Sequence, residues 1–430
     1  MKHRRTALLL GAGVSVAAGQ PSTKKITDEI LSDGGLNNTL CNYSLMDPTD
    51  PIKRVTFRTR PFDRNILVLL QRLFCYAEKC NTTLYNTFPS QTRKKKHAVN
   101  FEDIYYMLCE IHNYLSGNFS PIGCVFHNIT NVSSITKSWK PNTEDASSEL
   151  DFIEDAFRYM SHSFKRMLNN GNCDITRLKI IIDLCKSPIG NITDIFTLNH
   201  DTIIEDLLND AKLSYIDGFG EKNGDLRKWK PTLFDQCATP SWCPYQSRGT
   251  LRLLKLHGSL DWRIFFNTTT NKQLVAIYIG LHEIEYGFGT QIIDENKIQY
   301  EELHGPQFLI GSTNKLSEYL HVQYWDMFER FRKYLRENDN LIVAGYSFGD
   351  DAINGQILEW LMNEDNKRLI VIDVKNKHDF SRTLPVVFTY KQRHKKLMED
   401  NKFFYLGKDK DRVGGIEYIT LQDLEPHLKR

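Results

Sequence analysis

No stretch of this sequence approaches the roughly twenty consecutive apolar residues that a membrane-spanning helix needs, and no internal repeat or low-complexity tract is present. Neither sign of charge is in excess. With 55 Lys and Arg against 53 Asp and Glu, the formal net charge is only +2, so composition does not call for a polyanionic partner. Two local basic runs, Arg93 to His97 and Lys391 to Lys396, read as solvated faces that could touch phosphate. Closely spaced cysteines are lacking as well. The nine thiols, an odd number scattered from Cys41 to Cys243, lack the dense short spacing of a disulfide scaffold and fit a reducing cytosol. Sequons such as those at Asn81 and Asn267 would matter only in a secretory pathway.

What is present is the composition of an ordered globule, 41% hydrophobic and 25% charged over 430 residues. That length suits one large α/β domain with an insert, or two domains. Lys2 to Arg5 followed by Ala7 to Leu10 imitates a signal peptide. The alternative is a first β-strand, Ala7 to Leu10, entering a glycine turn, and the rest of the chain supports it. From about Asp63 to Lys186 apolar residues recur at helical spacing, as in Ile66, Leu67, Leu70, Leu73 and Phe74, which predicts a helical insert whose last helix covers Ile175 to Cys185. Polar stretches such as Asn81 to Asn100 read as loops. After Ile192 come short apolar runs, Ile195 to Thr197, Leu253 to Leu256, Leu341 to Ala344 and Leu369 to Ile372, suited to strands covered on both faces. Amphipathic helices are expected at Val322 to Glu337 and Ala352 to Asn363. The expected fold is α/β, a Rossmann-like doubly wound parallel sheet with a large α-helical insert. Its expected division is a nucleotide-binding domain of residues 1–36 and 187–430 and an insert of 37–186.

Five loops carry polar or glycine residues at strand ends, where an open α/β sheet places its ligand crevice. Gly11-Ala12-Gly13-Val14-Ser15 could bring backbone N–H groups to a pyrophosphate, although Val16 stands where the usual Gly-x-Gly-x-x-Gly fingerprint has its third glycine. A plain β–α turn is the alternative. Thr197-Leu198-Asn199-His200-Asp201 could hold ribose hydroxyls, or merely cap the next helix. His257-Gly258 offers an imidazole as general base, or a structural histidine. Gly345-Tyr346-Ser347 and Asp373 complete the set, the latter a carboxylate suited to a ribose diol.

Taken in order, these loops resemble the sirtuin family and, more closely, the sirtuin-like domains of prokaryotic antiphage defence proteins. Gly11, Ala12, Gly13 and Ser15, with Gly19 and Pro21, resemble the family's first NAD loop. Thr197, Asn199 and Asp201 match its Thr-x-Asn-x-Asp segment, His257-Gly258 its catalytic His-Gly, and Gly345 and Ser347 its Gly-x-Ser loop. Asp373 stands where a ribose-binding residue is expected. The stretches His257 to Trp262 and Gly345 to Asn354 look like the defence branch in particular.

The resemblance implies NAD as substrate, Asn199 and His257 as catalytic residues, and release of nicotinamide from ADP-ribose. Departures shape the expectation. Deacylating sirtuins carry a zinc ribbon of two Cys-x-x-Cys pairs, whereas Cys237 and Cys243 are separated by five residues and no second close pair follows, so no zinc is expected. The family's Phe-Arg is replaced by Ser22-Thr23-Lys24 after Pro21, against acyl-lysine chemistry. The leading expectation is therefore an NAD glycohydrolase serving antiphage defence by NAD depletion. The alternatives are a non-catalytic NAD or ADP-ribose sensor, and a protein deacylase or ADP-ribosyltransferase. The resemblance further suggests a cytoplasmic homo-oligomer, docked on a HerA-type ATPase or another defence protein, that meets nucleic acid only through its partner.

Overall fold

The computed structural model describes residues 4–38, 40–47, 50–87, 98–118, 120–139, 148–168, 173–223, 226–237, 251–267, 269–270, 272–278, 291–293, 299–304, 309, 322–363, 366–376, 402–409 and 413–428. The basic runs Arg93 to His97 and Lys391 to Lys396, and Cys243, lie outside them. The strands in chain order are β1 (Thr6–Leu10), β2 (Leu40–Asp47), β3 (Asp50–Pro61), β4 (Ile192–Thr197), β5 (Tyr215–Ile216), β6 (Leu226–Lys228), β7 (Leu251–Lys255), β8 (Trp262–Asn267), β9 (Gln273–Tyr278), β10 (Gln291–Ile293), β11 (Gln299–His304), β12 (Asn340–Ala344), β13 (Arg368–Asn376) and β14 (Phe403–Lys408).

Seven of these strands form a parallel sheet in the order β14-β13-β12-β1-β4-β7-β5. The chain starts in the middle at β1. It moves one way through β4 and β7, then returns to the other side of β1 for β12, β13 and β14, the doubly wound arrangement with its switch at β1. Successive side chains point to opposite faces, and both faces are covered. Ala7 and Leu9 join Phe196, Leu254, Leu341 and Val343 under the helices Val322–Glu337 and Asp351–Asn363. Leu8 and Leu10 join Ile195, Leu253, Ile342 and Ile370 under the helices Lys179–Lys186, Ile203–Asp210 and Leu421–Leu428. Two covered faces explain why these strands read as continuous apolar runs. The Lys179–Lys186 helix follows a 3-10 turn at Ile175–Leu178, and it packs on the parallel sheet instead of closing the insert as its sequence position suggested.

A second sheet, β10-β11-β8-β9-β6, is antiparallel and was not anticipated. Trp262 and Ile277 turn into the main core, while Leu226, Phe265, Ala276 and Tyr300 form a small cluster of their own. The insert holds the hairpin β2–β3 and the helices Arg64–Thr87, Phe101–Leu115, Pro121–Thr130, Val132–Thr136 and Glu149–Leu168. The first of these runs past the break expected at Asn81. Phe101–Leu115 begins at a reciprocal cap: the Asn100 side chain accepts from the Glu102 N–H at 2.7 Å, and the Asp103 carboxylate accepts from the Asn100 N–H at 2.9 Å. The insert's core also recruits Ile26, Ile30 and Leu36 from ahead of it in sequence, and Leu260 from the far side of β7. Among the described residues no helix is long and apolar enough to cross a membrane.

Candidate functional site

The strand register lays the predicted residues along one edge of the parallel sheet. Ile372, Ala344, Leu10, Thr197 and Lys255 are paired neighbours across β13, β12, β1, β4 and β7. One or two residues further along each strand come Asp373, Gly345, Gly11, Asn199 and His257, all at the carboxyl end where ligands bind in open α/β sheets.

The glycines at the switch serve the backbone. Gly11 donates its N–H to the Ala344 carbonyl at 2.9 Å, and Gly13 donates to the Gly345 carbonyl at 2.8 Å. A Cβ on Gly345 would lie 2.4 Å from the Val14 nitrogen, and Gly345 holds a φ of +62°, so no side chain is tolerated there. These two N–H groups, which the sequence offers to a pyrophosphate, are therefore committed to holding the β1 and β12 turns together. Ala12, Gly13 and Ser347 remain exposed on the rim.

Behind that rim the polar side chains form one directed chain. The Asn199 side-chain nitrogen donates to the Gly11 carbonyl at 3.1 Å and to the Ser15 hydroxyl at 2.8 Å. Ser15 in turn donates to Asp201 Oδ2 at 2.6 Å, and Asp201 Oδ1 accepts from the Ile203 N–H. Because a carbonyl can only accept, Gly11 fixes which end of the Asn199 amide is nitrogen. Its oxygen is left buried without a hydrogen-bond partner among the described residues. Thr197 accepts from the Asn199 N–H through its hydroxyl, bracing the turn. Ser15, Asp201 and Thr197 thus act on Asn199 and on their own loop, and all four residues are buried.

His257 is buried on the neighbouring strand end, with Nε2 3.0 Å from Asp350 Oδ2. Asp350 belongs to the Gly345 loop, so this bond ties the fourth loop to the third. Against an ionised carboxylate Nε2 is the donor, which puts the imidazole's basic lone pair at Nδ1. Asp350 also accepts from the Ala352 and Ile353 N–H groups through Oδ1, capping its helix. Tyr346 accepts from the Asp350 N–H at 3.1 Å and donates to Asn354 Oδ1 at 3.0 Å; burial first, then the Asp350 charge, pushes its phenol far above the ordinary tyrosine value. Phe348 takes a left-handed φ of +58°, unusual for a residue with a side chain and a form of strain that collects at functional loops. Asp373 is half-buried one strand further out, its Oδ1 accepting at 3.3 Å from the Lys375 N–H of its own turn.

Sequence reasoning missed three contributors. Asp350 lay inside a quoted motif, but nothing local marks it as the partner of a histidine 93 positions away. His200, whose ring centroid is 6.2 Å from that of His257, and Lys255, buried in an apolar strand, were also passed over. A lysine flanked by leucines in a predicted core strand was the available signal, since buried ammonium groups are paired. Beside the site, Gly19 to Pro21 line a cleft of about 300 Å³ together with Lys25, Glu29, Arg166 and Met167.

Comparison with known proteins finds similarity to a SIR2-like domain and to sirtuin structures. A family model described as a SIR2-like domain matches residues 193–395, a segment that contains Asn199, His257, Gly345, Ser347 and Asp373 but not the glycine turn. A Sir2 homologue–NAD complex is 12% identical, covering 99% of this chain and 89% of that one with a TM-score of 0.32. A Sir2 homologue mutant in complex with ADP-ribose is also 12% identical, over 86% and 81% of the two chains, at 0.30. Sir2 bound to acetylated peptide is 11% identical over 92% and 93%, again at 0.30. These likenesses are too distant to carry residue roles across. No curated protein matches the chain.

Proposed function

We propose that the chain is an NAD hydrolase that cleaves the nicotinamide–ribose bond to give nicotinamide and ADP-ribose. The observation that carries this reading is the state of Asn199, whose amide nitrogen is fully engaged while its buried oxygen has no partner among the described residues. A buried acceptor of that kind calls for a hydrogen-bond donor, a part that a ribose hydroxyl or a water can fill. It stands at the switch of a doubly wound sheet, the position at which such folds take nucleotides.

The chemistry asks little of an acid. The nicotinamide nitrogen is already cationic, so the bond from C1′ breaks with its electron pair neutralising the ring, and no proton is needed on the leaving group. Water supplies the new C1′–O bond and gives up one proton. In this reading Asn199 orients the ribose and the water, and His257, steadied by Asp350, accepts the proton. Thr197, Ser15 and Asp201 hold the Asn199 turn. Gly11, Ala12, Gly13, Gly345 and Ser347 line the dinucleotide, and Asp373 takes the far ribose diol. Residues 1–36 and 187–430 make up the NAD unit, with 37–186 as its insert. The resemblance of His257 to Trp262 and of Gly345 to Asn354 to the defence branch supports NAD depletion in the cytoplasm as the role. It also suggests a homo-oligomer working with a HerA-type ATPase or a related partner.

The test is to incubate purified protein with NAD, alone and with the candidate partner, and to follow nicotinamide release in the wild type, Asn199→Ala and His257→Ala. Both variants should lose at least about a hundredfold in rate. Undiminished release in both sinks the assignment, and NAD binding without turnover in any assembly makes the chain a sensor.

A further inference from the structure

Beneath the Asn199 turn lies an ion cluster that the proposed reaction does not use. Lys255, the last residue of β7, is 3% exposed at its side chain, and its ammonium donates to the Asp201 carbonyl and, at 2.7 Å, to Glu205 Oε1. Burial alone would push this lysine down, but the facing carboxylates of Glu205, Asp261 and Asp201 outweigh it and hold the pKa above the ordinary lysine value. Glu205, on the first turn of the helix Ile203–Asp210, is pushed up to about 7 chiefly by desolvation. One ammonium therefore faces three pieces of chain: the turn carrying Asn199 and Asp201, the helix after it, and Asp261 in the turn that begins at His257.

Other ties run between the same two turns. The Leu260 N–H donates to the His200 carbonyl at 2.9 Å, and the Ser259 hydroxyl reaches the same oxygen at 3.3 Å. These contacts bind the backbone next to Asn199 but leave the Asp201 carbonyl to Lys255. Asp201 is also the residue whose carboxylate accepts a hydrogen bond from the Ser15 hydroxyl, and Ser15 accepts from Asn199. A shift of the Asp201 backbone therefore passes through two hydrogen bonds to the Asn199 amide.

We propose that Lys255 is a positioning residue, an ammonium clamp that sets the Asn199–Asp201 turn against the Gly11–Ser15 turn and in register with His257, with the Glu205 carboxyl as its hydrogen-bond partner. The inference rests on the hydrolase reading of this site. A buried ion pair is not needed for stability, since apolar replacements of similar volume are often tolerated. Its position two residues before His257 and against the carbonyl of Asp201 gives it a role that an apolar core would not supply.

The test replaces both members of the ion pair at once, Lys255→Met with Glu205→Gln, so that neither is left without the other. The double variant should melt cooperatively while kcat for nicotinamide release falls about tenfold to a hundredfold, as expected when reacting groups lose alignment, with KM moving less than kcat. Lys255→Arg, which keeps the charge, should recover part of that kcat. Wild-type kcat in a folded double variant overturns the clamp. So do equal losses in the Met/Gln and Arg variants when both fold, and so does collapse of both melting transitions, which would make Lys255 a core residue. Affinity for ADP-ribose, measured by calorimetry, separates the two claims. Wild-type protein that binds ADP-ribose but releases no nicotinamide in any assembly overturns the hydrolase reading alone, and the clamp is then judged by whether the double variant weakens that binding.

Discussion

Asp350 does two jobs with its two oxygens, and they can be separated. Oδ1 accepts from the Ala352 and Ile353 N–H groups, and Oδ2 meets His257 Nε2 at 3.0 Å. An asparagine keeps an oxygen for the helix cap and offers an NH2 group to the imidazole. Nε2 must then be the acceptor, so the proton moves to Nδ1 and the base loses its lone pair on that side. Asp350→Asn is expected to fold like the wild type and to lose on the order of a hundredfold in kcat, the scale of a general base, with KM nearly unchanged. Steady-state kinetics of nicotinamide release at saturating NAD checks it.

The parallel strands were legible because both of their faces are covered. Alternation disappears under double burial, and Leu8-Leu9-Leu10 or Leu341 to Ala344 shows itself as an unbroken apolar run followed by small and polar residues. The loops that end them were legible for the same reason. The antiparallel sheet was not, although Trp262 to Phe266, a polar stretch and Leu274 to Tyr278 have the form of a hairpin; an expected Rossmann unit left no place for it. Pairings such as Lys255 with Glu205 depend on which turn faces which strand, and local pattern carries none of that. The ion cluster also makes a pH prediction. The folded-state pKa of Glu205, about 7, lies above its ordinary value of 4.5. The folded protein thus holds this proton more tightly than the unfolded chain, and stability should fall as pH rises through that interval. Glu205→Gln removes the titration, so melting temperatures of the variant should decline less than those of the wild type between about pH 5 and 8.

On the scale of the molecule, the insert reaches the site instead of hanging beside it. Phe164, on the insert's last helix, stacks edgewise on His200 at 5.6 Å and lies 5.3 Å from the Phe101 ring. The same helix receives the Gln20 side chain at the Leu168 carbonyl, and its Tyr159 hydroxyl donates to the Ile30 carbonyl. The chain that leaves the glycine turn is thereby fastened to the insert before it returns to the sheet. Phe164→Ala opens a cavity in a buried cluster and should cost about 3–5 kcal/mol in urea denaturation. It should also lower kcat, because His200 loses the ring that backs it. Unchanged turnover in a destabilised variant would mean that the insert supports the fold and not the site.

The central position of β1 also bears on how the chain comes off the ribosome. Its hydrogen-bonding neighbours are β4, beginning at Ile192, and β12, ending at Ala344. Translation at about 5–20 residues per second puts roughly 20 to 70 s between Leu10 and Ala344. Through that interval five residues destined for complete burial have no finished sheet to enter. The insert, whose contacts are mostly among its own helices, can fold in the meantime, and its grip on Ile26 and Ile30 holds the waiting strand close to a formed core.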